Sequence, residues 1–75
     1  MYYINVSYKA GHDWPRQDRI IEDAIGKESC ASGMLIKEHI RDLSFSFKTE
    51  KEQKQYAKKL AKKFPFLTVT VEEVE

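Results

Sequence analysis

From Tyr2 to Lys9 the chain alternates. Tyr2, Ile4, Val6 and Tyr8 fall on one side of an extended backbone, and Tyr3, Asn5, Ser7 and Lys9 on the other. Period two with aromatic and β-branched residues predicts a strand. Asp13 is placed as the N-cap of a helix, and Pro15 fits the first turn, where a missing N–H costs little. A helical repeat over Trp14 to Ile25 then puts Trp14, Ile20, Ile21, Ala24 and Ile25 on one side. Arg16, Arg19, Glu22 and Asp23 are assigned to water, as is Asp18. Gly26 is the natural stop.

Ser29 to Ile36 does not alternate cleanly and contains Gly33. It is read as a short edge strand with a bulge at that glycine, and Lys37, Glu38 and His39 turn the chain. Arg41 to Lys48 is an unambiguous strand: Leu43, Phe45 and Phe47 point one way, Asp42, Ser44 and Ser46 the other. Thr49 and Glu52 have the spacing of a capping box. The helix they open carries Tyr56, Ala57, Leu60, Ala61 and Phe64 as one stripe, and Pro65 ends it. A last strand runs from Leu67 to Val71, with Leu67, Val69 and Val71 against Phe66, Thr68 and Thr70.

Strand, helix, strand, strand, helix, strand, joined by right-handed crossovers, gives an α+β ferredoxin-like sandwich: a four-stranded antiparallel sheet of order 4-1-3-2 with both helices on one face. The inner face is assigned Ile4, Val6, Leu43, Phe45, Phe47, Leu67, Val69 and Val71. Ile21, Ile25, Tyr56, Leu60 and Phe64 cover it.

The chain has 75 residues, enough for a single domain over 1–75. A domain so small buries only about 60% of the surface its unfolded chain exposes. Its one cysteine, Cys30, cannot form an internal disulfide. That points to a reducing, cytoplasmic setting. No apolar run approaches the length of a membrane span, and the first residues lack a signal-peptide pattern. Thirteen basic and twelve acidic residues leave a net charge of +1. Any attraction to a charged partner must therefore come from a patch.

One patch is legible. The second helix carries Lys51, Lys54, Lys58, Lys59, Lys62 and Lys63. Lys51, Lys58 and Lys62 fall together opposite the apolar stripe, with Lys54 and Lys59 flanking them. The row suits a phosphate backbone or an acidic protein groove. The favoured reading is nonetheless a solvated face whose late lysines complement the helix dipole, since charge runs on exposed helices are common. The other surface is the open face of the sheet, with Tyr3, Asn5, Ser7, Ser44 and Ser46 at its centre and Thr68, Thr70 and Phe66 beside them. Inward phenylalanines on the third strand leave only Tyr3 near its centre, which argues against base stacking there.

Reactive groups are sparse. Cys30, His39 and Asp42 do not make a metal set at the usual spacings, and Cys30 lies in an apolar stretch unlike that of a catalytic thiol. Trp14 is expected to be partly buried. No catalytic residue, metal or cofactor is assigned.

The expected function is a small non-enzymatic regulatory protein that binds a macromolecule, as inhibitors, antitoxin-like proteins and adaptors of phage or mobile-element type do. Its partner-binding residues are Lys51, Lys54, Lys58, Lys59 and Lys62, or Tyr3, Ser44 and Ser46. A protein is the first choice of partner, nucleic acid on the lysines the second, and a membrane is not expected. A metal-dependent nuclease formed across a dimer, using Asp42, His39 and His12, ranks third. The chain is expected as a monomer or as a homodimer through an edge strand or sheet face.

Overall fold

The structure is a computed structural model that describes residues 1–74. Its elements are β1 (Tyr2–Lys9), α1 (Trp14–Ile25), β2 (Ala31–Leu35), β3 (Ile40–Phe47), α2 (Glu50–Lys63) and β4 (Thr68–Glu73). The strands form one sheet of order β2-β3-β1-β4, every neighbour antiparallel. This is the predicted ferredoxin-like order read from the opposite edge.

β1 and β3 occupy the centre because they carry the most regular apolar alternation. Ile4 pairs with Phe45 and Val6 with Leu43, and all four are buried. They pack against Ile21 and Ile25 of α1 and Leu60 of α2, with Tyr8, Phe47, Phe64 and Leu67 completing the core. Tyr56 stacks on Phe47 at 5.4 Å between ring centroids.

The helix ends follow local chemistry. Gly26 takes φ +84°, the left-handed conformation that ends α1, and its N–H reaches the Glu22 carbonyl. At the start of α2 the Thr49 hydroxyl oxygen accepts the Glu52 N–H at 3.2 Å and its proton goes to the Glu52 carboxylate. Phe64 follows the last turn, its N–H on the Leu60 carbonyl.

Several expectations are corrected. β2 is shorter than Ser29 to Ile36 and has no bulge: Gly33 pairs in register with Asp42, between Ser32–Leu43 and Met34–Arg41. Its weak alternation reflects an edge strand whose residues are all exposed or half-buried. Asp13 caps α1 through its carbonyl, which receives the Arg16 and Gln17 N–H groups; its side chain makes no capping bond. Ile20 and Ala61 face water because each lies at the margin of its helix's apolar arc. Val71 is on the helix side of the sheet, but α2 does not reach over it and it stays 53% exposed. Asp18 is not solvated; it is only 7% exposed. Among the described residues no helix is long and apolar enough to cross a membrane.

Replacing Phe45 by alanine should cost about 3–5 kcal/mol, out of a total of roughly 4–11 kcal/mol for a domain of this size. Val71→Ala, at a residue the core does not enclose, should shift stability by no more than about 0.5 kcal/mol. Urea midpoints of the two variants check both values.

Candidate functional site

Asp18 sits on α1 four residues after Trp14 and three before Ile21, within the arc that faces the sheet. Its Oδ2 accepts Arg41 Nε at 2.9 Å and lies 2.8 Å from the second guanidinium nitrogen; its Oδ1 accepts the Tyr8 hydroxyl proton at 2.5 Å. Arg41 is cross-strand from Tyr8 and stays on the inner face because β3 alternates. Its guanidinium lies 4.5 Å from the centre of the Trp14 ring and reaches the Gly33 carbonyl at 3.3 Å. One buried ion pair thus joins α1 to β1, β2 and β3. Burial, the bond to Asp18 and the charge of Asp18 all hold the Tyr8 hydroxyl protonated far above its ordinary 10.0.

A second polar tie lies at the other end of the sheet. Gln53, 4% exposed, donates its amide to the carbonyls of Tyr3 at 2.8 Å and Glu72 at 3.0 Å. It docks α2 onto β1 and β4. With both helices held to one side, the opposite face of the sheet is left open.

A hollow of about 250 Å³ lies on that open face, lined by Asn5, Ser7, Asp42, Ser44, Thr68 and Thr70 among others. The rows of the face run Thr70–Asn5–Ser44–Ala31 and Thr68–Ser7–Asp42–Gly33 from edge to edge. The polar side chains largely satisfy one another: Ser44 donates to Asn5 Oδ1 at 2.7 Å, and Asn5 Nδ2 reaches Glu72 at 3.4 Å. Tyr3 is opposite Ser46 at one end, both half-buried. The Ser46 carbonyl accepts the Lys27 ammonium, which also covers the Phe47 ring at 4.4 Å.

At the other end the face becomes apolar. Ile40 lies between Lys9 and Leu35, and Leu35 is 52% exposed. Phe66, 54% exposed, lines a hollow of about 360 Å³ with Ile40, Lys9, Ser7 and Thr68. Phe66 is held at this rim by edge-on contacts with Tyr8 and Phe64, at 6.2 and 5.9 Å between centroids.

The sequence-assigned residues therefore divide between two surfaces. Tyr3, Ser44 and Ser46 share the open face. Lys51, Lys54, Lys58, Lys59 and Lys62 are all exposed on α2, behind the sheet. The lysines are not equivalent. Lys54 pairs with Glu50 at 2.6 Å, and that bond with the Glu50 charge raises its pKa. Lys59 donates to the Ala24 carbonyl at 3.0 Å. Lys51, Lys58 and Lys62 have no salt-bridge partner among the described residues.

The reactive side chains are scattered. His12 and His39 line a common hollow of about 480 Å³ with Lys9, Trp14 and Met34. Asp42 faces out from the sheet opposite Ser7, and exposed Cys30 lies beside Ser44 at the far end of the β2–β3 hairpin. Among the described residues no group of three or more His, Cys, Asp or Glu is placed to hold a metal ion.

Sequence reasoning missed Asp18, Arg41 and Gln53, although each sits in phase with its element's apolar stripe. It placed Phe66 on the open face but missed that Leu35 and Ile40 join it at the apolar end, which only the strand register assembles. No known family model matches the chain, and no curated protein sequence matches it.

The Tyr8 shift has a signed consequence. A hydroxyl whose folded pKa is raised adds stability that is complete below pH 10 and lost as pH climbs toward the folded value. Alkaline titration followed by phenolate absorbance should show one of the four tyrosines ionising last, together with unfolding. Asp18→Asn, which strips the buried Arg41 of its counter-charge, should cost about 3–5 kcal/mol near neutral pH, read from the urea midpoint.

Proposed function

We propose that this is a non-enzymatic interaction protein, of the inhibitor, antitoxin-like or adaptor kind, that docks a protein partner on its open sheet face. The observation that carries the reading is a bed of small polar side chains around a hollow of about 250 Å³ that ends in an exposed apolar rim. Small side chains let a partner approach closely. The internal Ser44–Asn5–Glu72 bonds lower the cost of removing water from the face. Leu35 and Phe66 supply apolar surface that gains from being covered. Asp42 and Glu72, exposed on this face, disfavour a phosphate backbone there. The exposed Cys30 fits a reducing, cytoplasmic setting.

Nucleic-acid binding through α2 is the second reading, favoured by the row of Lys51, Lys58 and Lys62, which have no salt-bridge partner among the described residues. The two readings differ in salt dependence. Duplex DNA binding loses about 0.9 log units of affinity per phosphate contact for each tenfold rise in salt, whereas an apolar docking face is nearly indifferent.

Affinity capture from the native host's extract at low and high salt separates them. Wild type and Lys51→Glu/Lys58→Glu/Lys62→Glu should retain the same protein at both salt levels, and Leu35→Asp/Ser44→Arg should lose it. Capture that survives Leu35→Asp/Ser44→Arg, or that follows the lysines and vanishes in salt, overturns the open-face reading.

A further inference from the structure

β4 is an edge strand, and its outward backbone is unpaired among the described residues. Which groups point outward follows from the ladder. Met1 and Val74 exchange backbone bonds, N–H to carbonyl in both directions. Antiparallel pairing alternates, so Glu72, Thr70 and Thr68 also bond toward β1. The N–H and carbonyl groups of Val69, Val71 and Glu73 therefore point away from the sheet. Their side chains share the helix side. There Val71 lines a hollow of about 590 Å³ with Ala57, Lys54 and Lys58, and much of its surface is uncovered.

We infer that this edge pairs with the same edge of a second copy, about a two-fold axis at Val71. The occupant suited to the hollow is an extended segment with a β-branched residue followed two positions later by a carboxylate, and β4 is itself such a segment. Register singles out Val71. Centring on Glu73 sets two carboxylates face to face. Centring on Val69 sets Val71 against Leu67, whose N–H is already held by the Phe64 carbonyl at 3.0 Å. Centring on Val71 pairs it with Val71 of the second copy, and Val69 with Glu73, so that every outward group of the three residues is used.

Charge supports the same register. Gln53 meets Glu72 and Phe64 meets Leu67, so α2 runs antiparallel to β4, and Lys58 lines the hollow beside Val71. Glu73, opposite Val69 of the second copy and two residues from its Val71 pairing, thus falls next to that copy's Lys58. Among the described residues neither Glu73 nor Lys58 has a salt-bridge partner within its own chain. The two carboxylates also offset the repulsion between the lysines of the two facing helices. A two-fold contact uses one patch twice and closes on itself, which removes the exposed edge. The open sheet face stays free, so the contact stands or falls separately from partner docking there.

Sedimentation equilibrium of the full chain under reducing conditions, over a wide concentration range, tests the contact. Wild type should show a concentration-dependent dimer. Val71→Pro removes only an outward N–H, so it should be monomeric with its circular dichroism unchanged. Lys58→Glu and Glu73→Lys should each weaken dimerisation by about tenfold, and the two together in one chain should restore it. Should Val71→Pro fail to fold, the Lys58/Glu73 set decides alone. A wild type that stays monomeric at millimolar concentration, a dimer that survives folded Val71→Pro, or a double charge reversal no stronger than the single ones overturns the inference.

Discussion

The carboxylate of Asp18 is the constraint on which the arrangement of this protein rests. A buried charge is tolerable only when its partners are in place. Asp18 has two, and they come from adjacent strands: Tyr8 of β1 and Arg41 of β3. Apolar burial alone would let α1 rotate or slide with little penalty, since the hydrophobic effect has no direction. The ion pair permits one setting, in which Ile21 and Ile25 meet the sheet. Trp14 closes over the guanidinium and protects the pair from water.

Gln53 does the corresponding work for α2. One amide satisfies two carbonyls on neighbouring strands, so the helix is positioned both along the sheet and across it. The two polar ties lie at opposite ends of the sheet, and the apolar core lies between them. Together they commit both helices to one face. Everything exposed follows from that commitment. The serines and threonines are left to water, and the apolar rim at Leu35, Ile40 and Phe66 is left without a cover. β4 keeps an open edge because no strand lies beyond it among the described residues.

The two surfaces proposed as functional differ in chemistry and in position. The open face offers small polar side chains around a central hollow and apolar contact at one end. The β4 edge offers directional backbone bonds and a charge pattern complementary to itself. Two copies joined at that edge would present two open faces in one continuous sheet, giving a partner a repeated surface. Lys58 of α2 then serves the contact between copies, and Lys54 and Lys59 remain occupied within their own chain.

The order of elements was determined by the sequence alone, because alternation in β1 and β3, the Thr49 cap and the stops at Gly26 and Pro65 are local signals. So was the inward side of β3, since Phe45 and Phe47 alternate with serines. Asp18, Arg41 and Gln53 were legible only as positions in an apolar phase; their partners are distant in the chain, and no local rule says whether a polar residue in such a phase is buried and paired or turned to solvent. The exposure of Val71 and the meeting of Leu35, Ile40 and Phe66 were likewise decided by tertiary structure. Local pattern tells which way a side chain points from its own element, but whether anything lies there depends on how far a neighbouring element extends, and that is set by packing across the whole sheet.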